Sequence, residues 1–175
     1  MCSLARNLLP SPVQLRAAHD GDWPLLRRWS RLPDVQRWWG SASTIEAEMT
    51  IALSTPAALA RIVLHEGAPI GYAQAVDAGV WADAMPPGLA AGTYDLDLFI
   101  ADPHHRGRGI GPAALTLLIQ EVFETTLATA VCLVVSVANE RAVRAYEKAG
   151  FSWRRVIQDP QLGPCWLLVR DRVTT

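Results

Sequence analysis

Three features of the chain predict a mixed α/β fold. Segments whose apolar residues recur at helical spacing interleave with segments that alternate or run β-branched, and no internal repeat is present. With 175 residues, 50% apolar and 19% charged, the chain suits a single domain over 1–175, its core spanning about 13–171. The twelve glycines and twelve prolines fall between patterned segments without a period, which excludes collagen-like and disordered compositions.

Val13-Gln-Leu-Arg reads as a short first strand. Asp20 or Asp22 is then placed to cap a helix whose Leu25, Leu26, Trp29 and Leu32 share one face. A second helical segment covers about 45–53, its start favoured by Ser43 or Thr44 and by the early acids Glu46 and Glu48. Residues 60–65 and 70–76 form two antiparallel strands joined by a tight turn. Residues 77–92, with Trp81, Met85, Pro86, Pro87 and three glycines, suit a long shaped loop.

Thr93-Tyr-Asp-Leu-Asp-Leu-Phe-Ile alternates, which puts Asp95 and Asp97 on one face of a strand and Tyr94, Leu96 and Leu98 on the other. A helix over about 109–124 carries the stripe Leu115, Leu118, Ile119, Val122 and Phe123. The run Val131-Cys-Leu-Val-Val-Ser-Val suits a strand buried on both faces. Asn139 caps the next helix, which groups Ala142, Val143 and Tyr146 and stops at Gly150. Two last strands lie over 151–157 and 165–169.

Sixteen basic and seventeen acidic residues give a net charge of −1, but the distribution is uneven. Between Ile62 and His105 there is no Lys or Arg, while Glu66, Asp77, Asp83, Asp95, Asp97 and Asp102 all fall there. An acidic centre opposes a nucleic-acid backbone and suits a cationic small molecule, and the fifteen arginines form no continuous tract. No apolar run is long enough to cross a bilayer and the start lacks an export-signal core, so a cytoplasmic location without membrane attachment is expected. Cys2, Cys132 and Cys165 are far apart and without neighbouring histidines, so neither a disulfide framework nor a metal site is expected, and Cys132 is read as core.

The segment Asp102-Pro-His-His-Arg-Gly-Arg-Gly-Ile-Gly-Pro lies between a strand and a long helix. Gly107, Gly109 and Gly111 let the backbone turn tightly and aim amide N–H groups, backed by the helix dipole, at one point suited to a pyrophosphate. No Gly-Lys-Ser or Gly-Lys-Thr follows, and the loop comes after a late strand, so it matches neither a nucleotide-triphosphate loop nor a dinucleotide fingerprint. Arg106-x-x-Gly109-x-Gly111 does resemble the acyl-coenzyme A loop of the GCN5-related N-acetyltransferase (GNAT) superfamily. Asn139-Glu-Arg-Ala-Val-Arg-Ala-Tyr-Glu-Lys-Ala-Gly-Phe is similar to that superfamily's later Asn-x-x-Ala-x-x-x-Tyr-x-x-x-Gly-Phe segment. The likeness runs from Gln14 to near Val169 and implies a central, mostly antiparallel twisted sheet of six to seven strands flanked by about four helices.

The resemblance implies direct transfer of an acetyl group from acetyl-CoA to an amine, with no covalent enzyme intermediate. It makes Asp97 the leading base or amine-orienting group, with Asp95 beside it, and Tyr146 the group near the departing thiol. It assigns Phe99, Ile100, Arg106, Gly107, Arg108, Gly109, Ile110, Gly111, Asn139 and Ala142 to the cofactor, with Arg106 and Arg108 placed to meet phosphate oxygens.

Within the superfamily the chain looks most like aminoglycoside 6'-N-acetyltransferases, through Trp38-Trp39-Gly40, Glu66-Gly-Ala-Pro-Ile-Gly-Tyr-Ala-Gln, Asp97 and Ala145-Tyr-Glu-Lys-Ala-Gly-Phe-Ser. That likeness puts Trp38 and Trp39, on irregular backbone, near a polycationic substrate, with one of the two expected in the core. Asp77, Asp83, Asp95 and Asp97, together with Glu46 or Glu48, would surround the substrate, and Trp81 would line the pocket. Tyr94–Ile100 also resembles N6-hydroxylysine acyltransferases of siderophore pathways, for which His65 is the one candidate catalytic histidine before the strand. A non-catalytic acyl-CoA-binding or interaction module is the third reading. Either a monomer or a homodimer joined through an edge strand or the last hairpin suits the superfamily.

Overall fold

The computed structural model describes residues 12–81 and 88–173. Strands β1 (Val13–Ala17), β2 (Leu59–His65), β3 (Ala68–Asp77), β4 (Thr93–Ile100), β5 (Ala130–Ser136), β6 (Ser152–Asp159) and β7 (Gly163–Asp171) form one sheet in the order β1-β2-β3-β4-β5-β7-β6. Every neighbouring pair is antiparallel except β4 with β5. The expected α/β sheet is thus met, with seven strands. Among the described residues no helix is long and apolar enough to cross a membrane.

The β2–β3 hairpin turns on Glu66 and Gly67, whose φ values of 51° and 81° are the left-handed pair that matches the twist of the flanking strands. The β3–β4 ladder then runs unbroken from Gly71↔Ile100 to Asp77↔Tyr94, which sets Gln74 opposite Asp97 and Tyr72 opposite Phe99. The strands approach so closely that a Cβ on Gly71 would lie 2.3 Å from the Phe99 carbonyl oxygen.

Among the described residues five α-helices cover the sheet. On one face α1 (Trp23–Ser30), α2 (Pro33–Trp39) and α3 (Ala42–Ser54) bring Leu26, Trp29, Val35, Ile45 and Met49 against Ile62, Tyr72, Val76 and Phe99. On the other, α4 (Ile110–Thr125) buries Leu115, Leu118, Ile119 and Val122, and α5 (Glu140–Lys148) buries Val143. Each aliphatic side chain so buried contributes about 2 kcal/mol relative to exposure.

Several expected boundaries are corrected. Leu32 is not part of the first helix: Pro33 holds the preceding residue extended and opens a separate helix, α2, which raises the count to five and puts Trp38 and Trp39 on regular helix. The α3 cap is Ser41, whose Oγ accepts the Thr44 N–H at 3.2 Å, ahead of Ser43 and Thr44. Asp20 and Asp22 lie in a short 3-10 turn, whose capping His19 N–H is accepted by the Asp22 carboxylate at 3.0 Å, and Asp22 gives α1 no side-chain cap. Its buried carboxylate instead takes two bonds from Arg16, at 2.8 and 2.7 Å, which hold its pKa below the usual range and tie β1 to the start of α1.

Candidate active site

The site opens where the sheet divides. β4 and β5 pair only from Thr93↔Ala130 to Asp95↔Cys132, although both strands continue, β5 staying with β7 along its whole length. The diverging segments line a cleft of about 810 Å³, with Leu96–Ile100 on one wall and Leu133–Ser136 on the other. The glycine loop and α5 complete it.

At the loop end, Gly107 and Gly109 adopt φ values of 78° and 77°, a conformation that side chains disfavour. Gly109 caps α4 without any side-chain bond, so the first-turn amides are left open toward an anion. Asp102 folds the start of the loop, accepting from the His104 N–H and pairing with His105 Nδ1, both at 2.9 Å. Gly111 lines the cleft, and Asn139 lines it while its Oδ1 accepts the Ala142 N–H at 3.3 Å.

Arg106 lines the cleft, with its guanidinium already engaged within the protein. Its guanidinium donates to the Ile100 carbonyl at 2.8 Å, to the Ala101 carbonyl at 3.1 Å and to Asp34 at 2.7 Å, so it braces the loop against α2. Arg108 is exposed and carries no such bonds. Arg141, which sequence reasoning did not single out, overhangs the loop closely enough that a Cβ on Gly107 would lie 2.8 Å from its guanidinium. Its place in the first turn of α5, two residues after Asn139, was the available signal. The Ile110 side chain is buried in the core, which leaves its backbone to a cofactor. The Phe99 ring likewise turns away, packing edge-on against Trp39 at 5.0 Å and Trp29 at 6.1 Å.

The acidic end is centred on Asp97, which lines the cleft and whose Oδ2 accepts the Gln74 Nε2–H at 3.2 Å. Burial raises its pKa to about 6, the Gln74 bond opposing the rise. Asp95 accepts a weak bond from Cys132 Sγ at 3.8 Å, and its pKa is raised by burial and then by the charges of Asp97 and Glu48. Glu48 reaches the same region from α3, where burial and then the charges of Asp97 and Asp159 push it up to about 8. Glu46 instead accepts from Ser30 Oγ at 2.9 Å and lies 3.8 Å from Arg27, so Glu48 alone of the two joins the acidic centre. Tyr146 lines the cleft from α5, and burial with the Asp97 charge raises its pKa, which keeps it a phenol.

The other expected substrate residues divide. Trp38 lines the cleft with the Arg37 guanidinium 4.8 Å from its ring centre. Trp39 also lines it while packing into the core against Phe99 and Tyr72, as expected for one of the pair. Asp77 does not line it: it is one residue past Val76, the partner of Asp95, so it alternates to the opposite face, and its Oδ1 accepts the Gly79 N–H at 2.8 Å. Trp81 is half-buried against the core cluster of Leu26, Tyr72 and Phe99, its indole N–H buried without a partner. Asp83, like Cys2, Met85, Pro86 and Pro87, lies outside the described residues. His65 meets His105 edge-on with ring centres 5.1 Å apart, at the far end of the β2–β3 hairpin, about 20 Å by strand rise from the level of Asp97.

Amides open to an anion at one end of a cleft and a proton acceptor at the other suit a transferase that moves a group from a phosphorylated carrier to a basic acceptor. Residues 18–158 match the acetyltransferase (GNAT) domain, and the chain belongs to that family. It is accordingly an acetyl-CoA-dependent N-acetyltransferase, as the glycine loop and the Asn139–Phe151 segment implied. The chain is 28% identical over 172 residues to the aminoglycoside N(6')-acetyltransferase type 1 of Klebsiella pneumoniae, covering 91% of this chain and 83% of that protein. A kanamycin resistance protein of Rhizobium radiobacter is 29% identical over 92 residues, 53% of this chain and 81% of its own. The crystal structure of aminoglycoside acetyltransferase AAC(6')-Ib with coenzyme A matches with a TM-score of 0.79 at 28% identity, over 91% of this chain and 95% of that one. The same enzyme with coenzyme A and kanamycin matches with a TM-score of 0.79 at 27% identity and the same coverage.

Proposed function

We propose that this enzyme acetylates the 6'-amine of an aminoglycoside. The observation that carries the reading is the placing of Asp97, which faces the cleft where β4 has left β5 while Asp95 and Glu48 add two carboxyl groups around it. Three carboxyl groups in one half-buried place favour a polycation, and the relatives named above for aminoglycosides and kanamycin support that class.

The open amides at the start of α4, with Arg108 and Arg141, would hold the pyrophosphate, and Asn139 and Ala142 would border the pantetheine arm. Acetyl-CoA supplies the acetyl group as a thioester. The amine nitrogen bonds to the acetyl carbon as the carbon–sulfur bond breaks, and Asp97 accepts the proton that the nitrogen loses. An Asp97 pKa near 6 makes it a better acceptor than an ordinary aspartate. Tyr146, held as a phenol, gives a proton to the departing sulfur.

A thiol-release assay over aminoglycosides tests the reading. Turnover is expected with compounds bearing a 6'-amine and not with matched 6'-hydroxyl analogues. Release only with hydroxylamine substrates, or with no amine at all, overturns it.

A further inference from the structure

Tyr72 and Gln74 are 0% and 1% exposed, neighbours on one face of β3, and no part of the chemistry above uses them. Tyr72 Oη donates to Gln74 Oε1 at 3.1 Å, and Gln74 Nε2 donates onward to Asp97 Oδ2 at 3.2 Å. An ionised carboxylate only accepts, so of the two orientations of the Gln74 amide only one serves Asp97, and in that orientation the Tyr72 hydroxyl satisfies the buried amide oxygen by donating to it. The reversed amide would set its oxygen against the carboxylate.

We propose that Tyr72 and Gln74 are positioning residues, a buried relay that selects the ionised, proton-accepting form of Asp97 and leaves its Oδ1 for the acceptor amine. The proposal rests on the reading of Asp97 as the base. The groups around Asp97 make such a device necessary: Asp95 on its own strand, Glu48 from α3, Tyr146 from α5 and Cys132 from β5 are all neutral or negative. Arg61 of β2 is the cation that acts on Tyr72, and it is engaged by Glu121. Against burial, the Gln74 bond is what favours the Asp97 carboxylate.

The test is a carbon-13 NMR titration of the Asp97 carboxyl in the full chain, assigned with Asp97→Asn. Gln74→Met keeps length and removes the donor, and Tyr72→Phe removes a single oxygen from the core. The Asp97 midpoint is expected to rise by roughly one pH unit in Gln74→Met, with a smaller rise in Tyr72→Phe. The acidic limb of kcat/KM should move with it while KM for acetyl-CoA stays unchanged. An unmoved or lowered midpoint in the folded variants overturns the relay, and Tyr72→Phe decides the matter alone if Gln74→Met fails to fold. Because the titration needs no turnover, a wild-type chain that shows the relay yet acetylates no 6'-amine would sink the functional reading separately.

Discussion

Asp95 and Asp97 project from the same face of β4, yet only Asp97 lines the cleft, while the Asp95 carboxylate accepts the thiol of Cys132. The difference follows from one ladder position, since Asp95 is the last β4 residue still paired to β5. Asp97→Asn is therefore expected to lower kcat/KM by about 10²- to 10⁴-fold, the usual range for losing a general base. Asp95→Asn should cost far less. Steady-state thiol release on both variants checks this, and equal losses would mean that the ladder position does not separate their roles.

Tyr146→Phe removes the phenolic proton and keeps the ring that packs 6.1 Å from Phe151. A fall in kcat of about 10²-fold, with acetyl-CoA affinity unchanged, is the expected outcome. If only thermal stability changes, Tyr146 is a packing residue.

The raised carboxyl groups set the pH dependence of stability in the absence of substrate. The native state keeps protons on Glu48 up to about pH 8 and on Asp97 up to about pH 6, whereas the unfolded chain has lost them above its ordinary carboxyl values. Across that window the unfolded state binds fewer protons, so stability falls as pH rises. Calorimetry should find Tm highest near pH 5 and declining toward pH 8.5, with a shallower decline in Glu48→Gln. Below that maximum Asp22, held low by Arg16, contributes the opposite slope. A Tm that climbs between pH 5 and 8.5 would contradict the assignment.

Arg106 should behave differently from Arg108, two residues on, and from Arg141. Removing Arg141 or Arg108 by alanine is expected to weaken coenzyme A binding by roughly 10-fold each, as for loss of a charge-assisted bond to phosphate. Arg106→Ala instead releases Asp34 and two carbonyl groups and should lower stability by about 1–3 kcal/mol. Calorimetric titration of coenzyme A beside thermal melts separates the two outcomes.

The strands were legible because their signals are local: β4 alternates over its whole length, and the β2–β3 turn carries its own left-handed residues. Helix α2 was hidden because a proline that interrupts one helix also starts the next, and spacing alone runs Leu32 into α1. The choice between Glu46 and Glu48 was not readable either. Residues two apart on a helix lie on nearly opposite sides, and which side meets β4 is decided by how α3 packs. Arg106 and Arg108 posed the same difficulty, since only the folded loop shows which guanidinium is already engaged.

The three-residue seam between β4 and β5 also bears on mechanics. The sheet falls into two leaves, β1–β4 and β5–β7, that are hydrogen-bonded to each other only over Thr93–Asp95, while one apolar core beneath α4 runs under both. A ligand lying between the leaves would supply polar partners to strand backbone that has no neighbouring strand on that side, and so would become structural mortar as well as reactant. Amides of Leu96–Ile100 and Leu133–Ser136 would then slow in hydrogen exchange when the carrier binds.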